Sequence, residues 1–167
     1  MKTDLLVNFS IDRENKRIDV EREFAAPLSK VWAAWTESVL LDQWWAPKPW
    51  KTTTKTMDFK GGGYWLYAME GPDGTKNWSR ADYKEITPLK SFSGWEAFCD
   101  QNGTVNTAFP ITFWTVEFSK KSNSTLVSIE IKFDLVSDLE KMLEMGFKEG
   151  FTSAMENLDE LLDSGWE

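Results

Sequence analysis

The chain has 167 residues, 27 of them acidic and 19 basic, and its net charge of −8 opposes nucleic acid and anionic membranes as partners. It contains no histidine, which excludes Ser-His-Asp and Cys-His catalytic sets and histidine-bearing zinc sites. A chain of this length buries roughly 70% of its unfolded surface in one domain, and the aromatic share, 14% with ten tryptophans, is an excess that needs a structural account.

A single cysteine, Cys99, excludes an internal disulfide and fits a reducing compartment. The segment from Met1 to Asn8 lacks the apolar run of a signal peptide, and no stretch approaches the length of a membrane span. The expected location is cytoplasmic.

From Leu5 to Phe24 the residues alternate twice, through Leu5, Val7, Phe9 and Ile11 and then Ile18, Val20 and Phe24, with a polar Asp12-to-Lys16 turn between. This predicts a hairpin. Pro27 and Ser29 open a short helical pattern carrying Val31, Trp32 and Trp35. Ser38 is placed to cap a second one through Leu40, Leu41, Trp44 and Trp45, which Pro47 and Pro49 stop.

Between Lys51 and Phe133 the short runs of β-branched and aromatic residues, separated by Gly61-Gly62-Gly63, Gly71-Pro72-Asp73-Gly74, Pro88 and Lys121-Ser122-Asn123, predict six strands. The last is clearest, because Val127, Ile129, Ile131 and Phe133 alternate with Ser128, Glu130 and Lys132, the pattern of an antiparallel sheet with one buried face. The triple glycine leads into a strand rather than a helix and has no following Lys-Ser/Thr, so it reads as a turn and not a phosphate loop.

Ser137 and Glu140 have the spacing of a capping box, and the residues beyond them predict one amphipathic helix over 137–162, about 39 Å long. Its apolar stripe includes Leu139, Met142, Gly146, Phe147, Gly150, Phe151, Met155 and Leu158. Gly165 follows as a terminator. No linker or repeat divides the chain, and sheet and helix must share one core.

The order hairpin, two short helices, antiparallel strands and long helix resembles the α+β helix-grip fold of the START and Bet v 1-like (SRPBCC) superfamily. The run Phe24-Ala25-Ala26-Pro27, Val31-Trp32, Ala34-Trp35-Thr36, Leu40-Leu41 and Gln43-Trp44-Trp45-Ala46-Pro47 is similar to the opening motif of the Activator of Hsp90 ATPase homologue 1-like family. Gly62-Gly63, Tyr83-Lys84-Glu85-Ile86-Thr87-Pro88, Thr115-Val116-Glu117-Phe118 and Met145-Gly146-Phe147-Lys148-Glu149-Gly150-Phe151 continue the match. Two features depart from the family pattern: residues 1–17 add an N-terminal strand, and Ala46 stands where glycine is common.

The resemblance implies a single domain over 1–167 whose curved antiparallel sheet wraps around the C-terminal helix, with two short helices after the first strand and often an apolar cavity beneath the long one. It does not imply one reaction, since relatives include a cochaperone domain, lipid carriers and polyketide cyclases. The implied partners are a small apolar ligand or an Hsp90-like chaperone, with no nucleic acid and no membrane. The chain is read as a monomer or homodimer, without cofactor or metal.

Trp32, Trp35, Trp44, Trp45 and Trp50 crowd into one stretch where bulky rings anchor two helices on a sheet; Trp50, beyond two prolines, is the one more suited to ligand contact. Gly146 and Gly150 lower helix propensity by about 1 kcal/mol each, and either a close approach to the sheet or space for a ligand offsets that loss. The cavity candidates are therefore Trp50, Trp65, Trp78, Arg80, Trp95, Trp114, Gly146, Phe147, Gly150, Phe151 and Met155. Arg80 either faces solvent or meets an anionic ligand group. Glu96 reads as a solvated strand carboxylate in preference to a buried acid, and Cys99 as a small hydrophobe. No catalytic set is assigned. The functional reading is a non-catalytic binding protein; the alternatives are an Hsp90-type cochaperone and a polyketide-cyclase-like enzyme in which Arg80 and Glu96 act.

Overall fold

The computed structural model describes residues 5–164. Gly165 lies outside them. The hairpin forms as its alternation predicts: β1 (Val7–Asp12) pairs antiparallel with β2 (Arg17–Phe24), Phe9 opposite Val20 and Ile11 opposite Ile18. The Asp12 carboxylate accepts hydrogen bonds from the backbone N–H and side-chain amide of Asn15, which closes the turn.

Two short helices follow, α1 (Leu28–Thr36) and α2 (Ser38–Trp44), separated by a single extended residue, Glu37. That residue occupies the N-cap position of α2 and puts Ser38 inside the helix, so the expected Ser38 cap does not form. The corner is held from within instead. Trp44 Nε1 donates to the Ala34 carbonyl at 2.9 Å, and Thr36 Oγ1 donates to the Trp32 carbonyl at 2.8 Å.

The six expected strands are β3 (Lys51–Met57), β4 (Tyr64–Glu70), β5 (Lys76–Thr87), β6 (Ser91–Cys99), β7 (Thr112–Lys120) and β8 (Thr125–Lys132). With the hairpin they form one eight-stranded antiparallel sheet in the order β1-β2-β8-β7-β6-β5-β4-β3. The hairpin joins β8, and the α1–α2 segment carries the chain from that side to the far edge at β3. In β8, Val127, Ile129 and Ile131 are buried while Ser128 and Glu130 remain half-exposed, as the alternation requires.

The predicted single helix over 137–162 is divided into α3 (Val136–Glu144) and α4 (Phe147–Asp163). Gly146, at φ +89°, takes the left-handed conformation that ends one helix and lets the next start at a new angle. The capping box is absent too: Leu135 occupies the N-cap position of α3, and Glu140 is drawn away by Arg13 of the hairpin turn, which donates to it at 2.8 and 3.2 Å. The apolar period runs straight through the break because both helices bury one side under the same sheet.

About 25 Å long at its 17 residues, α4 buries Phe151, Ala154, Met155, Leu158 and Leu162. Arg22 of β2 pairs with Asp159 of α4 and lies over the Phe24 ring. Asn157 donates to the Ala46 carbonyl at 2.9 Å and the Trp44 carbonyl at 3.4 Å, satisfying the free end of α2 from the neighbouring helix. Among the described residues no helix is long and apolar enough to cross a membrane.

The two glycines of the C-terminal segment therefore do different work, and alanine separates them. Gly146→Ala is expected to destabilise the protein by about 1 kcal/mol, because a Cβ is strained at positive φ. At Gly150 the new Cβ would lie 3.8 Å from Pro47 Cγ, an ordinary contact, and Gly150→Ala should stabilise by up to about 1 kcal/mol through helix propensity. Urea unfolding of the two variants distinguishes the broken helix from a continuous one, in which both changes would stabilise.

Candidate functional site

Between the concave face of the sheet and the C-terminal helices lies a cavity of about 240 Å³. The sheet contributes Tyr67 and Met69 from β4, Asn77 and Ser79 from β5, Glu96, Ala97 and Phe98 from β6, and Thr112 and Trp114 from β7. Met142, Phe147, Gly150 and Phe151 close it from the helices, and Trp45, Pro47 and Pro110 from the connecting segments. A smaller inner chamber of about 40 Å³ lies deeper, walled by Trp35, Leu41, Trp65, Ala81, Tyr83, Phe92 and Val116 among others. The two spaces share Trp45, Glu96 and Trp114.

The aromatic excess is used here. Trp45, just past α2, has ring neighbours Trp35, Trp44, Trp65, Tyr67, Trp114 and Phe151, with centroids 5.3–6.4 Å away and mostly edge-to-face. Phe147 and Phe151, one helical turn apart on α4, stack at 5.2 Å and meet Trp114 edge-on at 6.1 and 5.7 Å. At Gly94 a Cβ would lie 2.2 Å from the Asp82 carbonyl, so only glycine lets β6 approach β5 here, next to the bulge between Tyr83 and Glu85.

One polar chain crosses this wall of rings. Trp45 Nε1 donates to Tyr67 Oη at 3.0 Å, and Tyr67 Oη donates to Glu96 Oε1 at 2.5 Å. Glu96 is half-buried as a residue, yet burial of its carboxyl is the strongest influence on it and pushes its pKa up to about 8; the Tyr67 hydrogen bond works against the rise and nearby Asp82 adds to it. Glu96 is thus a neutral acid at neutral pH, not the solvated carboxylate expected of an alternating strand. Burial, with the adjoining Glu96 second, also drives the Tyr67 and Tyr83 hydroxyls upward, so both stay protonated. Burial raises Cys99 to about 11, which removes it as a thiolate nucleophile.

Of the predicted cavity residues, Trp114, Phe147, Gly150 and Phe151 meet in the outer cavity, and Trp65 walls the inner chamber. Trp95 borders the inner chamber, but it is 43% exposed and its ring packs on Phe113 at 5.1 Å. Trp50 lies against Gly71, where its ring atoms come within 3.0 Å of a Cβ position. Trp78 and Arg80 alternate with Ser79 and so face away from the cavity. Lys55 lies over the Trp78 ring, while Arg80 is bound to both Asp82 oxygens at 2.9 and 2.7 Å, to the Gly103 carbonyl, and over Tyr64. Arg80 and Glu96 therefore do not share a pocket. Met155 is a core residue at 3% exposure, and Gly146 serves the helix break.

Tyr67, Ser79 and Met142 were not singled out from the sequence. Ser79 had a readable signal, since a cavity needs small side chains beneath it and Ser79 and Ala81 lie on the opposite side of β5 from the bulky Trp78 and Arg80.

A family model, Activator of Hsp90 ATPase homolog 1-like protein, matches residues 25–163. The chain belongs to this family. Solved structures agree with it across the whole domain. A solution NMR structure of an Arthrobacter aurescens protein is 31% identical with a TM-score of 0.89, covering 94% of this chain and 91% of its own. A Mycobacterium smegmatis crystal structure is 25% identical with a TM-score of 0.88, over 96% of this chain and 100% of its own. A Nitrosomonas europaea protein is 28% identical with a TM-score of 0.79, over 92% and 97%. Comparison with curated proteins gives no match. The family thus accounts for the helix-grip fold, and the cavity beneath α4 is what this member builds within it.

The raised Glu96 pKa couples the site to stability. Because Glu96 ionises near its ordinary 4.5 when unfolded and only near 8 when folded, the folded state binds the extra proton between those values, and stability falls as pH rises across that window. Glu96→Gln removes this term, so relative to wild type it should be more stable at pH 8.5 than at pH 5 in urea unfolding. Carboxyl-carbon NMR should show Glu96 titrating near 8 in the wild type, and higher in Tyr67→Phe.

Proposed function

We propose that this protein is a cytoplasmic, non-catalytic binding module that holds one small apolar molecule between α4 and the concave sheet face. The observation that carries this reading is the partly open cavity of about 240 Å³. Its walls are mainly Met69, Phe98, Pro110, Trp114, Phe147 and Phe151, with few polar groups among them. Ligand sites typically have this character, apolar walls with a small number of placed polar groups, at roughly 300–1,000 Å³. The volume here lies just under that range and suits a molecule about the size of a substituted naphthalene. Gly150 supports the same reading, because the place where its side chain would project is part of the cavity wall.

Filling that wall is the direct test. 2-Ethylnaphthalene should bind the wild type and change its tryptophan fluorescence. Gly150→Leu should weaken binding at least tenfold while leaving the unfolding midpoint unchanged or raised. Undiminished affinity in Gly150→Leu would place the binding site elsewhere and end this reading.

The family description favours a second reading, docking on an Hsp90-like chaperone. Stimulation of an Hsp90 ATPase by this protein, undiminished in Gly150→Leu, would move the functional surface to the outside of the domain. No stimulation and no complex would remove that alternative.

A further inference from the structure

Two polar groups in the inner part of the site have no role in holding a purely apolar molecule. One is the Glu96 carboxyl, whose Oε1 is engaged by Tyr67. The other is the indole N–H of Trp35, a residue 3% exposed, for which no hydrogen-bond acceptor is present among the described residues. Buried donors are nearly always paired, and an indole N–H can only donate. Trp35 and Glu96 both line the inner chamber of about 40 Å³, room for one or two waters or a single small functional group.

We infer that the bound molecule carries a neutral carbonyl oxygen at its leading end, seated in the inner chamber as acceptor for Trp35 Nε1–H and the Glu96 carboxylic acid, with its apolar body in the outer cavity. This rests on the binding reading above and adds the polar end of the ligand. A carbonyl oxygen has two lone pairs for two donors and no proton of its own to place among the rings. A carboxylate is disfavoured, because no lysine or arginine lines either space and Glu96 and Asp82 are nearby. An ammonium would set its donors against the indole donor. The two spaces adjoin, with Trp45, Glu96 and Trp114 lining both.

The arrangement makes carbonyl binding pH-dependent. The titratable groups around Glu96 are Tyr67 from β4, Asp82 and Tyr83 from β5, and Cys99 on its own strand. The cavity residues contributed by α3, α4 and the end of α2 (Met142, Phe147, Gly150, Phe151 and Trp45) do not titrate. As pH rises through about 8 the carboxyl loses its proton, stops donating, and repels the carbonyl lone pairs.

Calorimetric titration of the full chain with 2-acetylnaphthalene and 2-ethylnaphthalene, nearly alike in shape and differing in the carbonyl, tests the inference. At pH 6.5 the ketone should bind at least tenfold more tightly. That advantage should shrink above pH 8 while the hydrocarbon is unaffected, and Glu96→Gln, which keeps a donor, should preserve it at both pH values. Trp35→Phe should reduce it severalfold. Since Trp35 is a core residue and its variant can fail to fold, the carbonyl stretch of the ketone bound to the wild type gives a second measure, expected below its frequency in hexane. Equal affinities for ketone and hydrocarbon, an unshifted stretch, or tighter binding of 1-(2-naphthyl)ethanol overturns the carbonyl assignment and leaves the apolar cavity standing. Binding of neither naphthalene removes the binding reading and this inference with it.

Discussion

Tyr67 donates a hydrogen bond to Glu96 beneath a roof of tryptophan rings, and most of the site is arranged around that contact. A carboxylate moved into such surroundings without a cation loses far more in hydration than one hydrogen bond returns, and the group responds by keeping its proton. Tyr67 accepts from Trp45 and donates to Glu96, so the orientation of the acid is transmitted from the end of α2 across β4 to β6. Trp65 stacks on Tyr67 at 4.0 Å and is itself held by Thr54, which bonds to Asp42 of α2. Two separate routes thus tie the α2 region to the phenol that sets Glu96.

The α2 region is in turn placed by α4. Asn157 reaches out of the last helix to the carbonyls of Trp44 and Ala46, and Arg22 on β2 meets Asp159 two residues further along the same helix. Such buried or half-buried polar contacts specify position more than they add stability, because each group would leave a costly unmet partner in any other register. Apolar packing of Phe151, Ala154, Met155 and Leu158 drives the docking. The polar contacts select one docking among many.

Much of this was readable from the residues. The hairpin and six strands follow from period-two alternation and turn chemistry, the two short helices from helical apolar spacing bounded by prolines, and the buried side of β8 from its branched residues. The helix break did not show itself, because apolar spacing records which side is buried and is blind to the backbone angle of one glycine. The capping box does not form because α3 starts earlier, with Leu135 at the N-cap and Ser137 already inside the helix, and Glu140 instead meets Arg13, 127 positions away in sequence. The cavity wall was half legible. Phe147, Gly150 and Phe151 lie on a helix, where spacing fixes the face, but on β5 the eye follows the large residues Trp78 and Arg80 while the room is made by the small ones between them. The state of Glu96 depends on rings brought from α2, β4 and β7, and no local pattern carries it.

That division between large and small residues has a consequence for how the family can diversify. The groups that hold the domain together, such as Trp44, Phe24, Ile131 and Leu158, are fully buried, whereas Asn77, Ser79 and Gly150 determine how much room is left beneath α4. Exchanging one small side chain for a slightly larger one resizes the chamber without disturbing those anchors. A single substitution at these positions therefore changes the room beneath α4 while the architecture stays, and sequences 25–31% identical to this one keep that architecture, with TM-scores of 0.79–0.89.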